Sequence, residues 1–118
     1  VSGTDSGFAT IDELFGAGAA DAPQQPVDLP SGRRVLVRGM TRAELLINHK
    51  LAGGNALTIE QYNVASCMVA PVLTPDQVAQ WQRSAAAGEL VPVVDTIREL
   101  SGLGEGAAKS GVPGDGKQ

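Results

Sequence analysis

The chain has 118 residues, enough for one modest core, and its 42% hydrophobic and 19% charged residues are an ordinary globular balance. Aromatic residues are only 3%, so the core must be built from Val, Leu, Ile and Ala, and a single cysteine excludes an internal disulfide and suits a reducing compartment. The net charge of −4 comes from residues 1–32, where Asp5, Asp12, Glu13, Asp21 and Asp28 meet no Lys or Arg; such an arm disfavours nucleic acid and membrane surfaces, which are themselves anionic.

Residues 1–32 are rich in Gly, Ala, Asp and Pro, with one exception. Phe8, Ile11 and Phe15 fall at i, i+3 and i+7, with Leu14 beside them, and Thr10 and Glu13 have the capping-box spacing. The motif reads either as a short helix docked on its own body or as an exposed anchor for a partner's groove. Val27-Asp28-Leu29, the turn Pro30-Ser31-Gly32 and the β-rich run Arg33 to Arg38 predict a β-hairpin. One hairpin alone is marginal, so it must lie against helices. Arg33, Arg34, Arg38 and Arg42 form a small basic cluster, read as a solvated face because no aromatic platform accompanies it.

Thr41 to Glu44 is a capping box opening a first helix, about Arg42 to Leu51, with Ala43, Leu46, Ile47 and Leu51 as its apolar stripe and Gly53-Gly54 as its stop. Thr58 to Gln61 reads as a second box, opening a helix toward Ala70 whose apolar residues lie nearly all round and place it at the centre. Pro71 marks its end. Thr74, Pro75, Asp76 and Gln77 open a third helix, with Val78, Trp81 and Ala85 on its buried face and Gly88 as its end. The fourth runs from about Leu90 to Leu100, with Leu90, Val93, Val94, Ile97 and Leu100 on one stripe and Asp95, Arg98 and Glu99 opposite; Gly102 stops it. Pro92 is tolerable because it falls in the first turn.

The expected fold class is therefore mainly α. Residues 1–26 form a flexible acidic arm carrying the 8–15 motif, 27–103 a small four-helix domain with an N-terminal β-hairpin, and 104–118 a disordered tail. No run approaches a membrane span, and no basic start precedes a hydrophobic stretch, so neither a transmembrane helix nor a signal peptide is expected.

The residues offer little chemistry. His49 is the single histidine and Cys67 the single cysteine, which leaves no zinc pattern. Cys67 lies on the most apolar helix and reads as core. Gly102-Leu103-Gly104-Glu105-Gly106 lacks the lysine-serine ending and the following helix of a phosphate loop. Glu44, Glu60 and Glu89 sit near helix starts, where capping explains a carboxylate. No catalytic, cofactor-binding or metal-ligating residue is expected, and no cofactor. Trp81 is a core residue or an interface anchor.

The order of signals resembles the tail assembly chaperones of long-tailed phages, as found in siphophages of actinobacteria and related hosts. Arg33 through Glu44 (RRVLVRGMTRAE) is similar to that family's strand running into a helix start. Val72 to Val78 (VLTPDQV) is similar to its next helix opening, and Ala87 to Leu103 (AGELVPVVDTIRELSGL) to its closing helix. The likeness spans residues 33 to 103 of 118. It implies a non-enzymatic protein of the host bacterial cytoplasm. Such a protein binds the tape measure protein, keeps it soluble while tail tube subunits polymerise around it, and is left out of the finished virion. It also implies the short form of a frameshifted pair, whose extended form would continue from a polar tail near Gly116-Lys117. The tail tube protein and the extended form are further candidate partners, and self-association suits many weak copies along one long partner. Neither nucleic acid nor membrane is expected as a partner.

The physical reading runs parallel. A long helical protein apolar on one face aggregates unless that stripe is covered, and a small helical body can cover it by laying helix against groove. The candidate contact residues are Leu90, Val94 and Ile97 or Trp81, which are also the best core candidates, together with Phe8, Ile11 and Phe15. The alternatives are a phage head–tail connector or minor tail structural protein, and a small non-enzymatic helical adaptor using its basic cluster. An enzyme would require an activity dependent on Cys67.

Overall fold

The computed structural model describes residues 7–15 and 22–104. The expectations of a flexible arm and a disordered tail for residues 1–6, 16–21 and 105–118 lie outside the described residues. The elements are α1 (Ile11–Phe15), β1 (Gln24–Asp28), β2 (Arg34–Arg38), α2 (Arg42–Ala52), α3 (Ala56–Cys67), β3 (Met68–Ala70), α4 (Pro75–Ser84) and α5 (Val91–Leu100). Among the described residues five helices accompany a three-stranded antiparallel sheet, so the fold is mixed where a mainly α domain was expected.

The hairpin forms with Val27 opposite Val35 and Gln24 opposite Arg38, so β1 starts inside the stretch assigned to the arm. Gly32, at φ +92°, closes the turn and donates its N–H to the Leu29 carbonyl at 2.8 Å. Val27, Val35 and Val37 point into the body, following the two-residue period of a strand with one wet face. The third strand was not anticipated. Helix α3 ends at Cys67 and not at Ala70, because Met68 turns extended after its N–H bonds Val64. Met68 then lies opposite Val37 and Ala70 opposite Leu36, across a bulge. The free edge of β2 takes a segment that local propensity would leave helical.

The start of α3 also differs. Its N-cap is Asn55, whose Oδ1 accepts from the Thr58 N–H at 3.0 Å and from the Thr58 hydroxyl at 3.2 Å. The Thr58 box is therefore one turn inside the helix. Asn is as good a cap as Thr, and Gly53, at φ +62°, sets the chain up for it two residues earlier. Helix α4 opens at Thr74 as expected but ends at Ser84, with Ala85 extended, four residues before Gly88.

Buried Val27, Leu29, Val35, Val37, Val64, Cys67, Met68, Val78, Leu90, Val93 and Ile97 make one cluster. Helix α3 touches α2, α4 and α5, as its apolar surface predicts, and α5 lies across β1 and β2. The stripe of α5 is inward, with Asp95, Arg98 and Glu99 outward. Helix α2 reverses its expectation. Leu46, Ile47 and Leu51 are more than half exposed (52%, 55% and 59%), while Asn48 and Ala52 are buried. The inward face is held by polar ties and a small residue. Asn48 Nδ2 donates to Asn63 Oδ1 at 3.0 Å and Ser66 Oγ at 3.1 Å, and Glu44 is fixed by Arg38. Periodicity gives the spacing of a stripe and not which stripe the neighbour needs.

Candidate functional site

Helices α3 and α5 share core residues at depth but separate toward solvent, leaving an apolar trough. One cavity, of about 340 Å³, is lined by Leu57, Glu60, Gln82, Leu90, Val91 and Val94, among others. A second, of about 320 Å³, is lined by Met40, Leu45, Ile59, Val64, Val94 and Ile97, among others. They share Glu60 and Val94, so they adjoin along the seam between α3 and α5.

Each wall has a local cause. At one end α4 is tied to α3 by Gln82, whose Nε2 donates to Glu60 Oε1 at 2.8 Å and to the Leu57 carbonyl at 3.3 Å. Gln61 Nε2 donates to Gln82 Oε1 at 2.9 Å, tying α4 to the same wall. At the other end, the Met40 N–H donates to Ser101 Oγ at 2.8 Å, and the Ser101 hydroxyl donates to the Ile97 carbonyl at 2.6 Å. Gly39 permits that approach, for a Cβ there would stand 2.6 Å from the Leu100 carbonyl oxygen. The loop before α5 is pinned by Glu89, not used as a helix cap as expected. It is buried and accepts from the Ser31 N–H at 3.1 Å and the Ser31 hydroxyl at 2.5 Å. A contact between residues so distant in sequence leaves no local signal.

The candidate contact residues divide by place. Leu90 and Ile97 are buried core residues that reach the trough as its floor. Val94 is half-buried and lies where the two cavities meet. Their two readings are thus compatible, for a floor residue packs below and presents its upper atoms above. Trp81 is half-buried against the core and lines neither cavity. Phe8, Ile11 and Phe15 are 78%, 70% and 78% exposed, on a motif with no buried residue in α1. The expected capping box is there, with the Thr10 N–H donating to Glu13 Oε1 at 2.8 Å and the Glu13 N–H to Thr10 Oγ1 at 3.2 Å. Sequence reasoning missed Leu57 as a lining residue because it falls before the expected start of α3, and it read Ile59 only as part of that helix's apolar surface.

Electrostatics in the body are structural. Arg38 donates to both carboxylate oxygens of Glu44, at 3.0 and 2.7 Å, and this bond holds the Glu44 carboxyl below its ordinary range. Arg34 pairs with Asp28 across the open hairpin at 2.8 Å. Cys67 is fully buried, and burial pushes its thiol up to about 11, opposite to what a nucleophilic cysteine needs. His49 is exposed, with Nδ1 3.1 Å from the Leu45 carbonyl oxygen. Among the described residues no group of three or more His, Cys, Asp or Glu is placed to hold a metal ion, and no helix is long and apolar enough to cross a membrane. No family model matches the chain, and no significant match is found among curated proteins or solved structures.

Proposed function

We propose that the chain is a protein-binding module that covers an apolar stripe on a helical partner, acting as a phage tail assembly chaperone for the tape measure protein. The observation that carries the binding role is the trough between α3 and α5, with Leu90, Val94 and Ile97 along its floor and Glu60, Asp95, His49 and Arg98 among its rim residues. An apolar floor with a polar rim fits one amphipathic helix laid lengthwise, whose own polar face stays in water. The phage assignment rests on the resemblance of residues 33–103 alone. On that reading the protein works in the host bacterial cytoplasm, is absent from the mature virion, and is the shorter of two frameshift products.

The test is co-expression with overlapping segments of the long helical protein encoded nearby. The wild-type chain should keep at least one segment soluble and co-purify with it. Val94→Asp, which puts a charge in the middle of the trough on a half-buried position, should lose the complex while keeping native circular dichroism. A complex unaffected by Val94→Asp would remove the trough from the reading. A locus without a very long helical reading frame would remove the tape measure.

A further inference from the structure

Helix α2 carries a second apolar surface, on its far side from the body. Ala43, Leu46, Ile47, Lys50 and Leu51 follow the i, i+3, i+4, i+7, i+8 spacing and form one stripe about 12 Å long, all exposed. Leu46, Ile47 and Leu51 are each more than half exposed, a large apolar area for one short helix. The exposed charges of this helix are Arg42 and Lys50, and neither is in an ion pair among the described residues. Its one acid, Glu44, faces the other way and is held by Arg38. The surface is therefore apolar and basic.

The same chain carries the complementary surface. In α1, Ile11, Leu14 and Phe15 are 70%, 66% and 78% exposed, and the charges beside them are Asp12 and Glu13. The segment is apolar and acidic, and its capping box is made between Thr10 and Glu13 of the motif itself. Within one copy neither surface covers the other.

We propose that the α1 motif of one copy docks on the outer α2 face of a second copy, giving a head-to-tail contact. Two α2 faces brought together would set Arg42 and Lys50 of both copies around one interface with no acid to neutralise them. The α1 motif supplies both missing ingredients, apolar side chains and negative charge. The contact is heterologous, since the donor and acceptor patches differ, so it builds chains or closed rings. It leaves the α3–α5 trough open, and it stands whether or not that trough binds a tape measure. Copies linked in a row would present repeated troughs to one long partner, where avidity multiplies weak binding.

Two full-length variants and their mixture test this, by sedimentation velocity across a concentration series. Ile47→Glu spoils the acceptor, and the double variant Ile11→Asp, Phe15→Asp spoils the donor; all three positions are exposed, and circular dichroism checks the fold. The wild type should associate with rising concentration, less strongly at high salt. Each variant alone should be monomeric, with association weakened about tenfold or more. Mixed, they should form a one-to-one pair and stop, because only one intact donor and one intact acceptor remain. A wild type that stays monomeric at all concentrations overturns the proposal, as does donor-variant association equal to wild type, the mark of α2 pairing with α2. Failure of the mixture to pair overturns it equally.

Discussion

Replacing Gly39 with Ala tests how the sheet and α5 are joined. A Cβ at this buried position would sit 2.6 Å from the Leu100 carbonyl oxygen, 2.8 Å from its carbon and 3.2 Å from the Ser101 nitrogen, where ordinary contact begins at 3.4 Å. All three are backbone atoms, so no side chain can swing aside. The end of α5 must recede from β2 by several tenths of an ångström or more, and this strains the bond from the Met40 N–H to Ser101 Oγ, now 2.8 Å. Overpacking of this kind costs about 1–3 kcal/mol, and a weakened hydrogen bond adds about 1 kcal/mol. Ala stiffens the unfolded chain and returns roughly 0.4–1 kcal/mol. The net loss should be about 1–3 kcal/mol, or a fall in Tm on the order of 5–20 °C for a domain this size.

Urea unfolding followed by the fluorescence of Trp81, the single tryptophan, gives the change directly. Gly88→Ala is the control, because nothing lies within 4 Å of its added Cβ and its backbone is not left-handed. Gly88→Ala should be neutral to slightly stabilising through the same unfolded-state term. Equal stability of Gly39→Ala and wild type would refute the close approach, and equal losses from both would show that glycine flexibility, not contact, is what matters.

Asn48→Ala should cost about 1–3 kcal/mol in urea unfolding, since it strips Asn63 and Ser66 of a buried partner; Asn63→Ala in the same background should add little if they form one network. Glu44 has its folded pKa lowered by Arg38, so its contribution to stability is full above its ordinary value of 4.5 and is lost as pH falls through the lower folded value. The gap between wild type and Glu44→Gln in urea midpoint should therefore be open at neutral pH and close in acid. Cys67, buried and with its thiol pushed up to about 11, should react with a thiol reagent at pH 8 only through unfolding, so the rate should climb in step with urea. Glu89→Ala should cost about 1.5–3 kcal/mol by releasing Ser31, without change in helix content on circular dichroism.

The sequence by itself determined the elements whose causes are local. The Thr41 and Thr74 capping boxes, Pro75 at the first helical position and the hairpin turn closed by Gly32 are each set by contacts within a few residues. A cap or a turn is made by neighbours in the chain, so its residues can be read there. Tertiary structure alone decided the rest. Met68 to Ala70 became a strand because β2 had an open edge beside them. Helix α2 turned Leu46 and Ile47 to water because Asn48 found Asn63 and Ser66 on α3. The trough exists because Gln82, Glu60 and Ser101 hold walls from separate elements in place. Its floor residues were legible as an apolar stripe, but how far a stripe is covered depends on which elements pack over it. That is a property of their three-dimensional arrangement, since burial is shared between surfaces distant in the chain.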